Sequence, residues 1–278
     1  MTPPDSHTPI ILTIFSILCL AYIGIAASVY FYQRHLLYRP TTSLAPPSDY
    51  HVSDMQVISL SSTDNVTLTA WYCAPSADKK MPLLIYFHGN TGNIGDRSNK
   101  LRHFKEAGFG ILAISYRGYG TSGGHPTEQG IYADARAAMA YAQQQHIPLN
   151  QVVLYGESLG SGVAVQMATE FPVQALILEA PYTSLTDLAH LRFPFIPTSV
   201  LLKDHFNSAA KIQQIHTPLL VMHGDQDATI PIRFGKALLA LANEPKQGVF
   251  FPAYHHTDFD PAILTDTMKR FLEKFEAK

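Results

Sequence analysis

The chain has 278 residues, of which 46% are hydrophobic and 15% are charged, and its formal net charge is −2. These values are typical of a globular protein with one large domain or two small ones. A near-neutral charge without a basic block gives no electrostatic footprint for nucleic acid, so we expect no nucleic-acid partner. The two cysteines, Cys19 and Cys73, are too few and too far apart for a disulfide framework or a thiolate metal site.

The amino-terminal region contains a long uncharged segment. Residues 10–32 carry no charged side chain, and at about 1.5 Å per residue they are long enough to cross a hydrocarbon core of roughly 30 Å. Tyr30, Phe31 and Tyr32 cluster at one end of the segment, as aromatic residues do at membrane interfaces. We therefore predict a transmembrane anchor at residues 10–32, preceded by a short tail at residues 1–9.

A cleaved signal peptide is the main alternative to an anchor. Gly24-Ile25-Ala26 resembles a small-x-small cleavage site. The preceding segment contains Asp5 and His7 but no Lys or Arg, so the positive region of a signal peptide is missing. Aromatic residues that continue past the candidate site also favour a retained anchor. A buried core helix is the third interpretation.

The charges that flank the segment predict its orientation. Arg34 and Arg39 follow it, and no basic residue precedes it. The positive-inside rule then places the short amino terminus outside and the large domain in the cytoplasm. Residues 33–49 contain several prolines and predict a short stiff linker. The remaining residues, 50–278, have the size of one α/β domain.

The next part of the chain has the patterns of strands. Residues 55–60 and 66–72 alternate in the strand period around the turn signal Asp64-Asn65, which predicts a hairpin at a sheet edge. Short continuous apolar runs follow, and these are typical of strands buried on both faces of a parallel sheet. The runs are residues 83–87, 111–114, 152–155, 175–178, 219–222 and 248–251.

Helical patterns lie between these runs. They are residues 98–107, 129–145, 159–170, 233–242 and 261–275. The alternation of strand and helix predicts an α/β fold with a mostly parallel, doubly wound sheet and a short antiparallel lead-in. Such sheets carry their functional residues on loops at the carboxyl ends of the strands.

The stretch Gly156-Glu157-Ser158-Leu159-Gly160 follows one of the buried strands. It matches the G-x-S-x-G pattern of a nucleophile elbow, a tight strand-to-helix turn that exposes a serine above the sheet. Glycines flank the serine because the turn brings backbones too close for other side chains. The pattern predicts Ser158 as a nucleophile, although a five-residue match of this kind also arises by chance.

A glycine-bearing loop, residues 88–93, follows the first buried strand. Backbone N–H groups of such a loop could face a developing oxyanion, together with the N–H of the residue after the nucleophile. We predict the N–H groups of Asn90 and Leu159 as the oxyanion hole, with Thr91 as the alternative to Asn90. A tight loop of structural value only is the other interpretation.

Two further strand ends carry a carboxylate and a histidine. Asp227 lies after the strand at 219–222 and could orient a histidine, with Asp225 as its rival. His256 follows the last strand and could act as general base, in preference to His255. Glu179 is a third possible acid. The order Ser, Asp, His along the chain is that of α/β-hydrolases.

Two competing patterns are weaker. His255 and His256 near Asp258 could suggest a metal site, but consecutive residues rarely share one ligand face and no third histidine has a suitable spacing. Residues 118–123 match G-x-G-x-x-G, but His125-Pro126 interrupt the helix that should open there and the acidic ribose contact is missing. We therefore expect no metal and no nucleotide.

Taken together, these motifs resemble those of α/β-hydrolase-domain serine hydrolases, from about residue 50 to the end of the chain. The similar branch is membrane-anchored and includes protein depalmitoylases and lysophospholipid lipases. The motifs are Phe87-His88-Gly89-Asn90 with Gly92-Asn93, residues 116–124, Pro126-Thr127-Glu128, Asp134-Ala135, residues 156–160, His223-Gly224 with Asp227, and His256 with Asp258.

The resemblance implies a serine hydrolase that forms an acyl-enzyme on Ser158, with His256 as base, Asp227 as acid and no cofactor. Thr257 departs from the His-Asn-Asp pattern that is commoner in the branch. It lies beside the base and should not alter the mechanism. The substrate does not carry over, because one fold hosts many activities.

The region at about residues 181–216 is where such enzymes carry their lid. Phe193, Phe195 and Leu201 would supply apolar surface above the nucleophile, and we predict them as substrate-binding residues. A cap that packs its own small core is the alternative. We expect an ester or thioester substrate, such as a lipid or an acylated protein. A serine peptidase of the same fold and a non-catalytic scaffold are the other interpretations.

Overall fold

The computed structural model describes residues 8–76 and 81–275. Residues 1–7 of the predicted amino-terminal tail, with Asp5 and His7, lie outside the described residues. The helices are α1 (Thr8–Leu37), α2 (Ser98–Glu106), α3 (Glu128–Gln144), α4 (Leu159–Glu170), α5 (Leu185–Arg192), α6 (Thr198–Leu201), α7 (Arg233–Leu241) and α8 (Pro261–Glu273).

The strands alternate with these helices along the chain. They are β1 (Arg39–Pro40), β2 (Gln56–Ser61), β3 (Thr67–Cys73), β4 (Leu83–Phe87), β5 (Thr91–Gly92), β6 (Gly110–Ile114), β7 (Val152–Glu157), β8 (Ala175–Glu179), β9 (Leu219–Gly224) and β10 (Lys246–Phe251). The main sheet has eight strands in the order β10-β9-β8-β7-β4-β6-β3-β2. Strands β2 and β3 form one edge, where β3 runs antiparallel to both β2 and β6. All other neighbouring strands of this sheet are parallel.

The central strand β4 is the point where the strand order reverses. The chain passes from β4 to β6 on one side and then returns to β7 on the other side. In open α/β sheets the crevice beside such a switch point, at the carboxyl ends of the strands, is the usual ligand site. The residues that follow β4 and β7 therefore occupy the favoured position for chemistry.

Helices cover both faces of the sheet, because the parallel strands are apolar on both sides. Side chains of β4, β6, β7 and β8 alternate between two buried clusters. Helices α3, α4 and α7 contribute to the first cluster, through residues such as Ile131, Val163 and Leu238. Helices α2 and α8 contribute to the second, through residues such as Phe104 and Phe271.

The prediction of an α/β-hydrolase fold with a short antiparallel lead-in is confirmed. The predicted hairpin, strands and helices of the domain are all present, with bounds within about two residues of the expectation. The last strand, β10, was predicted to be buried but is only partly buried, because it lies at the edge of the sheet. The candidate lid contains α5 and α6 with irregular connections. The G-x-G-x-x-G stretch forms turns in which the Gly120 N–H donates to the Thr41 carbonyl, and Arg117 beside it pairs with Asp134 and Asp64.

The structure differs from the prediction at the linker. The predicted span ended at Tyr32 with a linker at residues 33–49, but α1 continues to Leu37 without interruption. Arg39 and Pro40 then pair with Thr91 and Gly92 as a two-residue parallel ladder. The reason for the difference is packing, since this part of the chain lies against the domain rather than crossing solvent. The helix from Ile10 to Leu37 is long and apolar enough to span a membrane.

Candidate active site

The turn between β7 and α4 holds Ser158 in an unusual backbone conformation, with φ of 51° and ψ of −117°. A Cβ on Gly160 would lie 2.0 Å from the Phe87 carbonyl oxygen, and one on Gly156 would lie 2.5 Å from the Gly160 carbonyl oxygen. Only glycine fits at both positions, because the helix start packs directly on the end of β4. The strand-turn-helix context that the G-x-S-x-G pattern requires is therefore present.

The structure brings Ser158, His256 and Asp227 together at the carboxyl edge of the sheet. The Ser158 Oγ lies 2.8 Å from His256 Nε2, and His256 Nδ1 lies 2.7 Å from Asp227 Oδ2. Ser158 and Asp227 are buried, whereas the His256 ring is 23% exposed. Because the carboxylate accepts the Nδ1 proton, the Nε2 lone pair faces the Ser158 hydroxyl. This arrangement can transfer a proton from the serine to the imidazole.

The Asp227 carboxylate accepts three hydrogen bonds and lies close to a buried histidine. Its Oδ1 accepts the N–H groups of Thr229 and Ile230, each at 2.8 Å. Its Oδ2 lies 3.2 Å from Nε2 of the buried His223, in addition to the contact with His256. Burial opposes the charged carboxylate, but the interactions with His223 and His256 outweigh it and hold the pKa of Asp227 below its usual range. Asp227 is therefore ionised at neutral pH.

The rival residues have other contacts. Asp225 accepts a hydrogen bond from the Ala253 N–H at 2.8 Å, and the exposed His255 ring lies 3.1 Å from the Gln226 carbonyl oxygen. These contacts join the loops after β9 and β10. Glu179 is buried and pairs with Lys100 instead. It is Asp227 and His256 that meet at Ser158.

The loop after β4 is fixed by several hydrogen bonds. The buried His88 Nδ1 lies 2.7 Å from the Gly89 carbonyl oxygen. Because a trans peptide directs its N–H opposite to its carbonyl, the Asn90 N–H points away from His88. The Asn90 carbonyl accepts the Tyr119 hydroxyl at 2.8 Å, and the Asn90 side chain donates to the Leu37 carbonyl at 2.7 Å. Burial lowers the pKa of His88 to about 3, so this ring is neutral.

Leu159 begins α4, so its N–H belongs to the first turn and has no helical acceptor. Asn90, Thr91 and Leu159 line the same cavity as Ser158. The loop N–H and the helix N–H are thus available beside the serine, and their assignment as an oxyanion hole stays a prediction. Among the residues that the structure describes, no cluster of histidine, cysteine or acidic side chains could hold a metal ion.

The cavity above Ser158 has a volume of about 600 Å³. Phe193 and Leu201 line it, as the sequence predicted, but Phe195 does not. The Phe195 carbonyl accepts the Tyr22 hydroxyl at 2.8 Å, while its side chain is 86% exposed. This side chain lines a second cavity, of about 550 Å³, which does not include Ser158. The lid turns there toward α1 rather than toward the serine, so the structure does not place Phe195 in the cavity with Ser158. A role of Phe195 in substrate binding stays a prediction.

Sequence reasoning missed the contribution of α1 to the larger cavity. Its lining includes four residues of α1, namely Val29, Gln33, Leu36 and Leu37. An uncharged segment reads as an anchor from composition alone, so its contacts with the domain were not expected. The one available signal was Gln33, a polar residue directly after the apolar run.

A buried charge network lies beside the elbow. Glu157, which precedes Ser158, accepts hydrogen bonds from Arg97 and Lys100, each at 2.9 Å. Lys100 also binds Glu179 at 2.7 Å, and the Glu179 carbonyl accepts the Ser158 N–H at 2.9 Å. Burial opposes the charge on Glu157, but Lys100 and Arg97 outweigh it and hold the pKa of Glu157 well below its usual range. Two carboxylates and two cations therefore fix both sides of the serine backbone.

Comparison with known proteins agrees with this geometry. A profile of the α/β-hydrolase fold matches residues 82–200. An uncharacterized protein of Mycobacterium tuberculosis is 32% identical over 94% of each chain. The α/β-hydrolase domain-containing protein WAV2 of Arabidopsis thaliana is 31% identical over 78% of each chain. A solved esterase from Pyrococcus furiosus shares the fold with a TM-score of 0.70 and 18% identity, covering 86% of this chain and 98% of the esterase.

Replacement of Lys100 by methionine should destabilise the domain. The substitution leaves Glu157 and Glu179 buried with one cation fewer, and breaking a buried pair in this way costs about 3–5 kcal/mol. Urea unfolding of the full chain in detergent measures the free energy of unfolding. Arg102→Met on the same helix is the matched control, because Arg102 forms an exposed pair with Glu106 worth less than about 1 kcal/mol. Equal stability of the two variants would contradict a structural role for the network.

Proposed function

This chain belongs to the α/β-hydrolase family, and on that premise we propose that it is a serine hydrolase that cleaves carboxylic esters or thioesters. The observation that carries the proposal is the hydrogen-bonded series from Ser158 through His256 to Asp227. The series lies in a strained elbow that opens into a cavity. A hydroxyl, an imidazole and a buried carboxylate in this order are the parts that nucleophilic acyl transfer needs.

In the first half of the reaction, the Ser158 Oγ attacks the substrate carbonyl carbon while His256 Nε2 accepts the hydroxyl proton. Asp227 stabilises the imidazolium that forms. The negative charge on the former carbonyl oxygen is stabilised by the N–H groups of Asn90 and Leu159. Collapse of the tetrahedral intermediate forms the acyl-enzyme, and His256 returns the proton to the departing alcohol or thiol.

In the second half, a water molecule attacks the acyl-enzyme carbonyl. His256 accepts a proton from the water, and the same N–H groups stabilise the second tetrahedral intermediate. Its collapse releases the carboxylic acid and restores the Ser158 hydroxyl. The chain's own groups perform every proton transfer.

The lining of the cavity favours an acyl substrate. Leu188, Phe193, Ile196 and Leu201 of the lid contribute apolar surface beside Ser158. An apolar pocket of this kind binds hydrocarbon through the removal of apolar surface from water. We therefore favour esters or thioesters with an apolar acyl group, such as a lipid or an acylated protein.

We also propose that α1 anchors the enzyme in a membrane, with the catalytic domain on the cytoplasmic side. The support is the length and apolar composition of the helix between Ile10 and Leu37. The side chains over most of this length are exposed, which suits contact with lipid tails. Arg34 and Arg39 follow the apolar segment, and the positive-inside rule gives the orientation.

A fluorophosphonate probe tests the serine mechanism. The probe should label the wild-type protein at Ser158, because the activated hydroxyl attacks its phosphorus. Ser158→Ala should abolish the labelling. Ser161→Ala is the control that should retain it, because it changes a buried serine of α4, the helix that follows Ser158. The measurement is in-gel fluorescence followed by mass spectrometry of the labelled peptide. An unlabelled wild type, or equal labelling of Ser158→Ala, would contradict the proposal and favour a non-catalytic scaffold.

A pair of aspartate substitutions tests the acid. Asp227→Asn should lower kcat by about 10⁴-fold, because an amide no longer favours the tautomer of His256 that accepts the serine proton. Asp225→Asn should lower kcat less than about tenfold, since Asp225 bonds the Ala253 N–H rather than His256. Steady-state hydrolysis of a soluble ester gives both values. Equal losses in the two variants would remove Asp227 from the mechanism.

Protease treatment of intact cells tests the topology. We expect the domain to resist external protease and to become digestible after the membrane is permeabilised, because it faces the cytoplasm. Immunoblotting of a carboxyl-terminal tag follows the domain. Digestion in intact cells would reverse the proposed orientation, and recovery of the full-length chain in the soluble fraction would overturn the anchor.

A further inference from the structure

One face of α1 is partly shielded between Ala26 and Leu37, with Cys19 as a single shielded position nearer the amino terminus. Residues of intermediate or low exposure recur with helical spacing, and together they form a stripe directed toward the domain. The stripe consists of Cys19, Ala26, Val29, Gln33 and Leu37. Most other positions of the helix between Ile10 and Leu36 are exposed. The carboxyl-terminal part of the helix therefore packs against the catalytic domain.

The base of this contact is polar and specific. Arg34 binds Asp204 through two hydrogen bonds, of 2.8 and 3.2 Å. The Gln33 side chain accepts the Lys203 N–H at 2.7 Å and donates to the Leu201 carbonyl at 3.0 Å. These partners all lie at or just after the end of α6 in the lid, so the hydrogen bonds fix the position of the lid relative to α1.

The space between α1 and the lid is continuous with the catalytic site. Val29 and Leu36 of α1 line the same cavity of about 600 Å³ as Ser158 and His256. Leu188 of the lid lines it too. The anchor helix thus supplies one wall of the space in which the acyl group of a substrate would lie.

With α1 as the proposed anchor, the part of the lid around Phe195 would lie at the depth of the hydrocarbon core. The Tyr22 hydroxyl bonds the Phe195 carbonyl, and Tyr22 precedes Val29 by seven residues, or about 10 Å of helix. About 20 residues from Ile10 are needed to cross the hydrocarbon core, so Tyr22 lies within it. Phe195 and Val200 of the lid are 86% and 78% exposed. Lipid tails are the solvent that such side chains favour.

We propose that α1 is a substrate-binding wall as well as an anchor, and that the acyl chain of an ester-linked membrane lipid passes from the bilayer into the catalytic cavity between α1 and the lid. The inference rests on the proposed hydrolase function and membrane anchor. The ester carbonyl of a lipid lies near the membrane interface. Tyr30 and Tyr32, which follow the cavity residue Val29, would lie at the same level. Its acyl chain can therefore stay in apolar surroundings while the carbonyl reaches Ser158.

The first test uses a substitution on α1 to narrow the space between α1 and the lid. Val29→Trp in the full-length protein places a large ring in the cavity, whereas Ala27→Trp places the same ring about 200° around the helix, on the exposed side. The substrates are soluble p-nitrophenyl acetate and p-nitrophenyl palmitate in phosphatidylcholine vesicles. We expect Val29→Trp to lower kcat/KM for the palmitate by a factor at least about ten times larger than the factor for the acetate. Ala27→Trp should change neither.

Loss of both activities by the same factor in Val29→Trp would overturn the proposal, because α1 would then not contact the long acyl chain selectively. Unchanged palmitate hydrolysis would also overturn it. Failure of the proposed hydrolase function has a separate signature, in which the wild-type protein takes no fluorophosphonate label and cleaves neither ester. In that case the second test still decides whether the lid lies at the bilayer.

The second test is independent of activity. Phe195→Trp in vesicles should be quenched by phosphatidylcholine that is brominated along its acyl chains. Gln151→Trp is the matched control, since Gln151 is exposed and directly precedes β7, at the edge of the sheet opposite Ser158. The wild-type signal of the buried Trp71 is subtracted. Equal quenching of the two variants would overturn the placement of the lid at the bilayer, and stronger quenching of Phe195→Trp supports it.

Discussion

The position of Ser158 depends on its backbone being fixed from two sides. On one side Glu157 is held by Arg97 and Lys100, and on the other the Glu179 main chain accepts the Ser158 N–H. Because Lys100 bonds both carboxylates, one ammonium group joins β7 to β8 below the turn. A buried network of this kind keeps the strained turn in place, since relaxation of the backbone would separate buried charges from their partners.

The residues that carry the candidate chemistry were predictable because each lies where a buried strand ends. Parallel strands are recognised by continuous apolar runs, and their carboxyl ends meet at one edge of the sheet. Chain order then separates the candidates for nucleophile, acid and base. The choice between Asp225 and Asp227 was less secure from sequence, because it depends on which carboxylate turns inward, and that is decided by the N–H groups of Thr229 and Ile230.

Other features could not be predicted, for identifiable physical reasons. Lys100 lies on a polar amphipathic helix, and its sequence context predicts a surface residue. Only the three-dimensional fold shows that it contacts the carboxylates of Glu157 and Glu179. The direction of Phe195 depends on a turn of the lid stabilised by Tyr22, which is distant in sequence. The path of residues 33–40 depends on contacts with Asp204 and Asn90, whereas the prolines of residues 33–49 suggested only a connector.

The polar contacts of Gln33 and Arg34 bear on the purpose of the anchor. A tether needs only apolar length, and a free linker would leave the domain in many orientations at the membrane. The Arg34–Asp204 pair removes that freedom, and Asp204 is further satisfied by the Glu128 N–H, which offsets the cost of its burial. In the proposed membrane arrangement, a domain with a fixed orientation would keep its cavity open toward the lipid. A substrate would then lose less freedom on binding than one that must meet a tumbling domain. The same helix would then determine both the location of the enzyme and the chemistry of the chain it accepts.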